Sequence, residues 1–365
     1  MENVTDPFLA LRSSIRTRAD ADEFSGVVLV RRGDEVLSET VVGRASRRWP
    51  VPITAAIRFD VASITKLFTS VAALRLVGDG RLALDTRIAD VLDLAGTTIP
   101  PQVTVRHLLT HTSGIADDAD EEADEDYADL FVDVPCYRVV EIADTLPFFA
   151  HKPPVFAPGQ GCRYCNAGYQ LVGLAVERIS GVRFRDFVRE NVFGPAGMAR
   201  SGFFWRQDDV PDLAEGWDPA SPADPGRGGW RQNLYSYPPI GDAAGGAQMT
   251  AADLIGFLQA LRAGRLLNAD LTAAFLTPQV KHHERDGHEI WYGFGLEFDL
   301  DAGGAVRSYY KDGINAGASA IIRHYPGPDL DVAVLSNSER GAWPVIDEVH
   351  DAVRALHPDV GESGF

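Results

Sequence analysis

Phe59-Asp60-Val61-Ala62-Ser63-Ile64-Thr65-Lys66-Leu67-Phe68-Thr69-Ser70-Val71-Ala72-Ala73-Leu74-Arg75-Leu76-Val77 is the stretch on which the fold turns. From Ser63 onward Leu67, Val71 and Leu74 recur at three and four residues, the period of a helix with one buried face. Ser63 and Lys66 stand three apart, so on that helix hydroxyl and ammonium are neighbours, and a start near Ser63 aims unpaired backbone N–H groups at the serine oxygen. A lysine in the first turn faces the positive end of the helix dipole. Desolvated there it has a lowered pKa, and some neutral amine exists near neutral pH to take the serine proton. The plain alternative is a capping serine followed by a solvated lysine, and SxxK alone is too short to decide between the two.

Upstream, Asp6 to Ala21 has amphipathic helical spacing, and Ser25 to Leu37 reads as a β-hairpin about Gly33-Asp34. Downstream, Gly78-Asp79-Gly80 stops the helix, Leu82 to Leu92 follow in short helical turns, and Thr104 to Ile115 reads as a short helix closed by Gly114. Val139 to Phe149, Tyr169 to Ile179, Arg183 to Val192 and Ala252 to Leu261 keep helical spacing, while Pro211 to Pro239 reads as a long irregular connection. Trp291 to Leu300, Val306 to Lys311, Ala318 to Tyr325 and Asp331 to Ser336 read as strands, and Val345 to Leu356 closes as an amphipathic helix. Strands at both ends with helices between predict one α/β (α+β) domain over 1–365, its antiparallel sheet built from both chain ends and flanked by helices. The sheet lobe is expected at about 1–60 and 285–365, the inserted and mostly helical lobe at about 61–284, with the cleft between them.

Composition narrows the function classes. A formal net charge of −18 argues against nucleic acid as a partner, because phosphate neutralisation needs basic patches. No apolar run reaches the roughly 18 residues of a membrane span. Residues 1–7 lack a basic region followed by an apolar core, so a cytoplasmic location is expected. Three cysteines do not suggest a disulfide framework, and Cys162 and Cys165 follow a turn, so they read as unpaired structural thiols. His282, His283 and His288 read as a charged loop without metal-ligand spacing, so neither a metal nor a cofactor is expected. Residues 117–129 hold nine acids and no base; the reading is a solvated, mobile loop dispensable for folding, with a lid selecting cationic substrates as the sharper alternative.

Ser63-Ile64-Thr65-Lys66 with Gly80-Arg81-Leu82-Ala83-Leu84-Asp85, His107 to Gly114, Pro158 to Gly173 with Tyr164-Cys165-Asn166, and Ala244-Gly245-Gly246 with Met249 to Leu254 follow one another in order. Together they resemble the serine β-lactamase-like family of class C β-lactamases, D-alanyl-D-alanine carboxypeptidases, D-aminopeptidases and related carboxylesterases, over roughly residues 24 to 355. The resemblance implies catalytic roles for Ser63, Lys66 and Tyr164, with Asn166 orienting Lys66 or the substrate amide. A phenol beside an ammonium ionises more easily, which suits Tyr164 to relaying protons. Where the family carries Lys-Thr-Gly or His-x-Gly, this chain has Lys311-Asp312-Gly313, and the oxyanion hole would use the backbone N–H groups of Ser63 and Ile314. The activity so implied is a serine hydrolase that cleaves a small ester, amide or peptide through an acyl-enzyme on Ser63. Two alternatives stand beside it: a transacylase that passes the acyl group to an amine or alcohol, and a catalytically inactive penicillin-binding-like sensor.

Overall fold

Near-continuous apolar runs in the strand segments require both faces of a sheet to be covered. The computed structural model describes residues 6, 8–123, 125–220, 229–285 and 287–360. Its main sheet comprises β1 (Gly26–Arg32), β2 (Glu35–Val42), β3 (Val280–Arg285), β4 (His288–Tyr292), β5 (Glu297–Leu300), β6 (Val306–Asn315), β7 (Ala318–Tyr325) and β8 (Leu330–Ser336). All neighbours are antiparallel, in the order β2-β1-β8-β7-β6-β5-β4-β3. Gly26 pairs with Ser336 and Arg31 with Asp331, so strands from the two chain ends meet inside the sheet, as the sequence predicts.

Alternate residues of these strands enter two separate cores. Val27, Leu29, Ala320, Ile322, Ala333 and Leu335 join the larger one, which α2 (Thr65–Gly78), α3 (Asn166–Ser180) and α4 (Ala251–Arg262) complete. Val28, Val30, Ile321, Val332 and Val334 join the smaller one beneath α1 (Leu9–Asp20) and α5 (Ala342–Leu356). Helix α2 is therefore more enclosed than its spacing predicts. Residues Thr65 to Leu74 are all buried, and Phe68 meets Phe193 and Phe257 edge-on at 5.0 and 4.8 Å.

Other expectations need correction. Ser63 lies in a 3-10 turn, Ala62–Ile64, ahead of α2 rather than at its cap, and Ala62 has φ +45°. The helix expected over Thr104 to Ile115 is only Val105–Leu109, because His111 takes φ +58° and turns the chain. Only residues 142–149 of the Val139 segment are helical. Trp291 to Leu300 contains two strand segments, with Gly295 at φ +94° between them. His282 and His283 sit on β3, and His288 opens β4, rather than lying in a loop; β3 is the outermost strand, where charged residues lie against water without penalty. In the Pro211 to Pro239 connection, Trp217–Pro219 pairs with Trp230–Gln232, and 221–228 lie outside the described residues.

Candidate active site

Contacts on two sides hold the turn that carries Ser63. Val61 N donates to Ala247 O at 3.0 Å, the Thr65 hydroxyl donates to Ala62 O at 2.7 Å, and that hydroxyl oxygen accepts from Ala247 N at 3.0 Å. On the other side β6 runs so close that a Cβ on Gly313 would lie 2.2 Å from Val61 O and 2.8 Å from Ser63 N, so glycine is required there. Pairing of β5 with β6 ends at Tyr310, which leaves the last residues of β6 as an open edge beside the turn.

Lys66 is fully buried and donates to three neutral acceptors: Ser63 Oγ at 3.0 Å, Asn166 Oδ1 at 2.7 Å and Ala244 O at 2.7 Å. Burial pushes its pKa down to about 8, with Glu121, Asp117 and Asp242 pulling upward and Lys311 pushing further down. The Tyr164 hydroxyl reaches the Ser63 side chain, and the Tyr164 ring lies 4.9 Å from Lys66 Nζ and 5.2 Å from Lys311 Nζ. The expectation of an easily ionised phenol is corrected, since burial outweighs Lys311 and raises the Tyr164 pKa well above the ordinary tyrosine range.

His111 fixes the segment around Tyr164. Its carbonyl accepts from Arg163 N at 2.9 Å, its Nδ1 accepts from Cys165 N at 3.1 Å, and its ring lies 4.6 Å from the Tyr164 ring. Burial and the nearby lysines hold its pKa well below the usual histidine value, in keeping with an accepting Nδ1.

The acidic run is only in part the solvated loop expected: Glu121, Glu122, Glu125, Asp126 and Asp129 are exposed, but other acids of the run are not. Asp117 and Asp118 are buried, and the Asp117 carboxylate accepts from Asn166 N at 2.8 Å and Ala167 N at 2.7 Å, capping α3 from 49 residues away. Asp120 forms a forked pair with Arg163, Glu122 accepts from Tyr164 N at 2.9 Å, and Glu121 accepts from Asn166 Nδ2 at 3.0 Å. The acids therefore position Tyr164 and Asn166. A charge count along the chain sees only repulsion, whereas the fold supplies Asp117, Asp120, Glu121 and Glu122 with donors from the Arg163 to Ala167 segment.

Lys311 is also buried, but it donates to Glu297 Oε1 at 2.8 Å and Asp312 Oδ1 at 2.7 Å. Burial opposes its charge, yet Asp312 and Glu297 outweigh burial and hold its pKa well above the usual lysine range. Ile314 is 39% exposed and, with Ser63 and Asn166, lines a cleft of about 800 Å³. Acidic side chains outnumber arginines along its walls. Among the described residues no cluster of three or more His, Cys, Asp or Glu is arranged to hold a metal, and no helix is long and apolar enough to cross a membrane.

The sequence profile of the family described as Beta-lactamase matches residues 11–355. The chain belongs to the beta-lactamase family. A penicillin-binding protein from Bacillus halodurans, known from its crystal structure, is 38% identical with a TM-score of 0.84, covering 94% of this chain and 99% of that one. Esterase EstB of Burkholderia gladioli is 35% identical over 182 residues, which is 48% of this chain and 46% of EstB. A D-aminopeptidase of Cereibacter sphaeroides is 27% identical over 348 residues, 92% of this chain and 62% of the aminopeptidase. The resemblance read from the motifs and the fold it implied are thus borne out, and the family places the chain among proteins related to hydrolases.

Of the residues singled out in the sequence, the structure brings Ser63, Lys66, Tyr164, Asn166, Lys311, Asp312, Gly313 and Ile314 into one region. Sequence reasoning missed Glu297, which no motif marks and which reaches Lys311 from the neighbouring strand β5. It also gave no separate role to His111, Asp117 or Asp242.

Proposed function

We propose that the protein is a serine hydrolase that cleaves a small ester or amide through an acyl-enzyme on Ser63. The observation that carries this reading is the environment of Lys66. When Lys66 is neutral, its two remaining N–H groups stay with Asn166 Oδ1 and Ala244 O, so the lone pair faces Ser63 Oγ. Ser63 Oγ attacks the carbonyl carbon as its proton passes to Lys66 Nζ, and the carbonyl electron pair moves onto oxygen. The backbone N–H groups of Ser63 and Ile314 receive that oxyanion, a role supported by the close approach of β6 at Gly313. The proton then passes from Lys66 by way of the neutral Tyr164 hydroxyl to the leaving alcohol or amine as its bond to carbon breaks. Water attacks the acyl-enzyme and gives one proton to Lys66; Ser63 Oγ departs from carbon and takes that proton back.

Lys311 is a weak anchor for an anionic substrate, because Glu297 and Asp312 share its single charge. A substrate carboxylate about 4 Å from Asp312 is repelled by roughly 4 kcal/mol at an effective dielectric near 20, more than an ordinary hydrogen bond returns. Neutral or cationic esters or amides are therefore preferred as substrates to benzylpenicillin or peptides ending in D-Ala. Intact-mass spectrometry after exposure to a fluorophosphonate tests the mechanism. One adduct is expected on the unmodified protein and none on Ser63→Ala, and an unmodified protein that stays unlabelled sinks the reading.

A further inference from the structure

One turn along α3 from Asn166, the cleft contains acceptors that no donor among the described residues uses. Gln170 and Asp118 both line it, and each is 1% exposed. Gln170 Nε2 donates to Asp242 Oδ2 at 2.8 Å, which fixes Gln170 Oε1 as the free end of the amide. Neither Gln170 Oε1 nor Asp118 Oδ2 has a hydrogen-bond partner among the described residues. Asp118 Oδ1, by contrast, accepts from Ala119 N at 2.8 Å, and Asp242 Oδ1 accepts from Ala244 N at 2.8 Å. Leaving a buried acceptor unpaired costs about 1–3 kcal/mol, and here two line one cleft, with the Asp242 carboxylate bonded to Gln170.

We infer that Asp118, Gln170 and Asp242 form a subsite for a primary ammonium or guanidinium group carried on the acyl part of the substrate. The inference rests on the acyl-enzyme reading above and names the substrate class. An ammonium brings three N–H donors and a positive charge, which is what two free oxygens and a neighbouring carboxylate lack. Burial and the Asp117 charge press the Asp118 carboxyl well above its usual range, and a bound cation offsets that pressure. The basic group behind Asp242, Arg185, is already held by Gly241 O and Val140 O and by Glu141, so it does not occupy the recess. Gln170 lies about 6 Å along the helix from Asn166, which itself holds Lys66 beside Ser63. That separation suits a cation at the end of a stem like that of lysine rather than an α-ammonium beside the scissile carbonyl.

The test compares p-nitrophenyl ε-aminocaproate with p-nitrophenyl heptanoate at high ionic strength, where long-range steering by the acidic surface is screened. The expected kcat/KM ratio favours the cationic ester by about tenfold or more, a difference of about 1.4 kcal/mol. That ratio should fall at least roughly tenfold in Asp118→Asn and in Gln170→Met, the latter serving if the former does not fold. Calorimetry with n-pentylammonium chloride reads the same subsite without turnover, with binding to the unmodified protein and weaker binding to both variants expected. Equal use of the two esters, a ratio unchanged in the folded variants, no n-pentylammonium binding, or equal displacement by sodium ions overturns the subsite. Loss of fluorophosphonate labelling with n-pentylammonium binding retained overturns the acyl-enzyme instead.

Discussion

Two lysines are buried near Ser63, and they are driven in opposite directions. Lys66 is surrounded by a hydroxyl, an amide oxygen and a backbone carbonyl, so desolvation dominates and its pKa falls to about 8. Lys311 is equally withdrawn from water, but two carboxylates touch it and its pKa rises well above the ordinary range. Burial alone therefore does not make a base; burial among neutral acceptors does. The difference separates a group fit to take up and release a proton from one whose charge is permanent and already spent on its neighbours.

Removing the titrating partner is expected to have the largest effect. Lys66→Met and Ser63→Ala should each lower kcat/KM by roughly 10³-fold or more while circular dichroism stays unchanged, because groups acting as one unit fail together. A Lys66→Met enzyme that keeps a tenth of its activity would mean that the two lysines do not divide the work as described.

Next in size is the release of Lys311 from its carboxylates. The double variant Glu297→Gln with Asp312→Thr should raise kcat/KM for a carboxylate-bearing ester relative to a neutral one by about 10²-fold, within the roughly 4 kcal/mol available from one charge pair. Asp312→Thr alone should do less, since Glu297 still holds the ammonium. An unchanged preference in the double variant, measured on a protein that still cleaves the neutral ester, would show that Lys311 does not face the substrate.

A smaller effect concerns pH. Catalysis needs neutral Lys66, whose fraction grows as pH rises, so kcat/KM should climb with pH and level off above about 8. The Glu121 charge raises the Lys66 pKa, and Glu121→Gln should move the inflection down. The Lys311 charge lowers it, and Lys311→Met should move the inflection up. Shifts of the opposite sign in the pH–rate profile would contradict the assignment of that inflection to Lys66.

The smallest expected change is in stability. Asp117→Ala leaves Asn166 N and Ala167 N without their acceptor, a cost of about 1–3 kcal/mol, and the melting temperature should drop by a few degrees. Deleting residues 118–126 should also lower it, contrary to what a solvated loop predicts, because Arg163, Tyr164 N and Asn166 lose their partners. Unaltered melting in both variants would return the run to the status of a loose lid.

The sequence by itself determined the features whose cause is local. Apolar runs bounded by turn residues at both ends specified the strands, helical spacing specified α1 to α5 to within a few residues at most ends, and the three-residue interval brought Ser63 and Lys66 together. The positions of Tyr164 and Asn166 were legible through a motif, since their short spacing is maintained in one turn. Tertiary structure alone decided what these groups experience. The burial of α2 on every side, the partners of Asp117, Asp120, Glu121 and Glu122, and the contact of Glu297 with Lys311 all join residues far apart in the chain. A pKa depends on those partners and on exclusion of water, and neither quantity exists in a string of residues. So a pair of lysines that look alike in sequence became, on folding, a candidate base and a fixed cation.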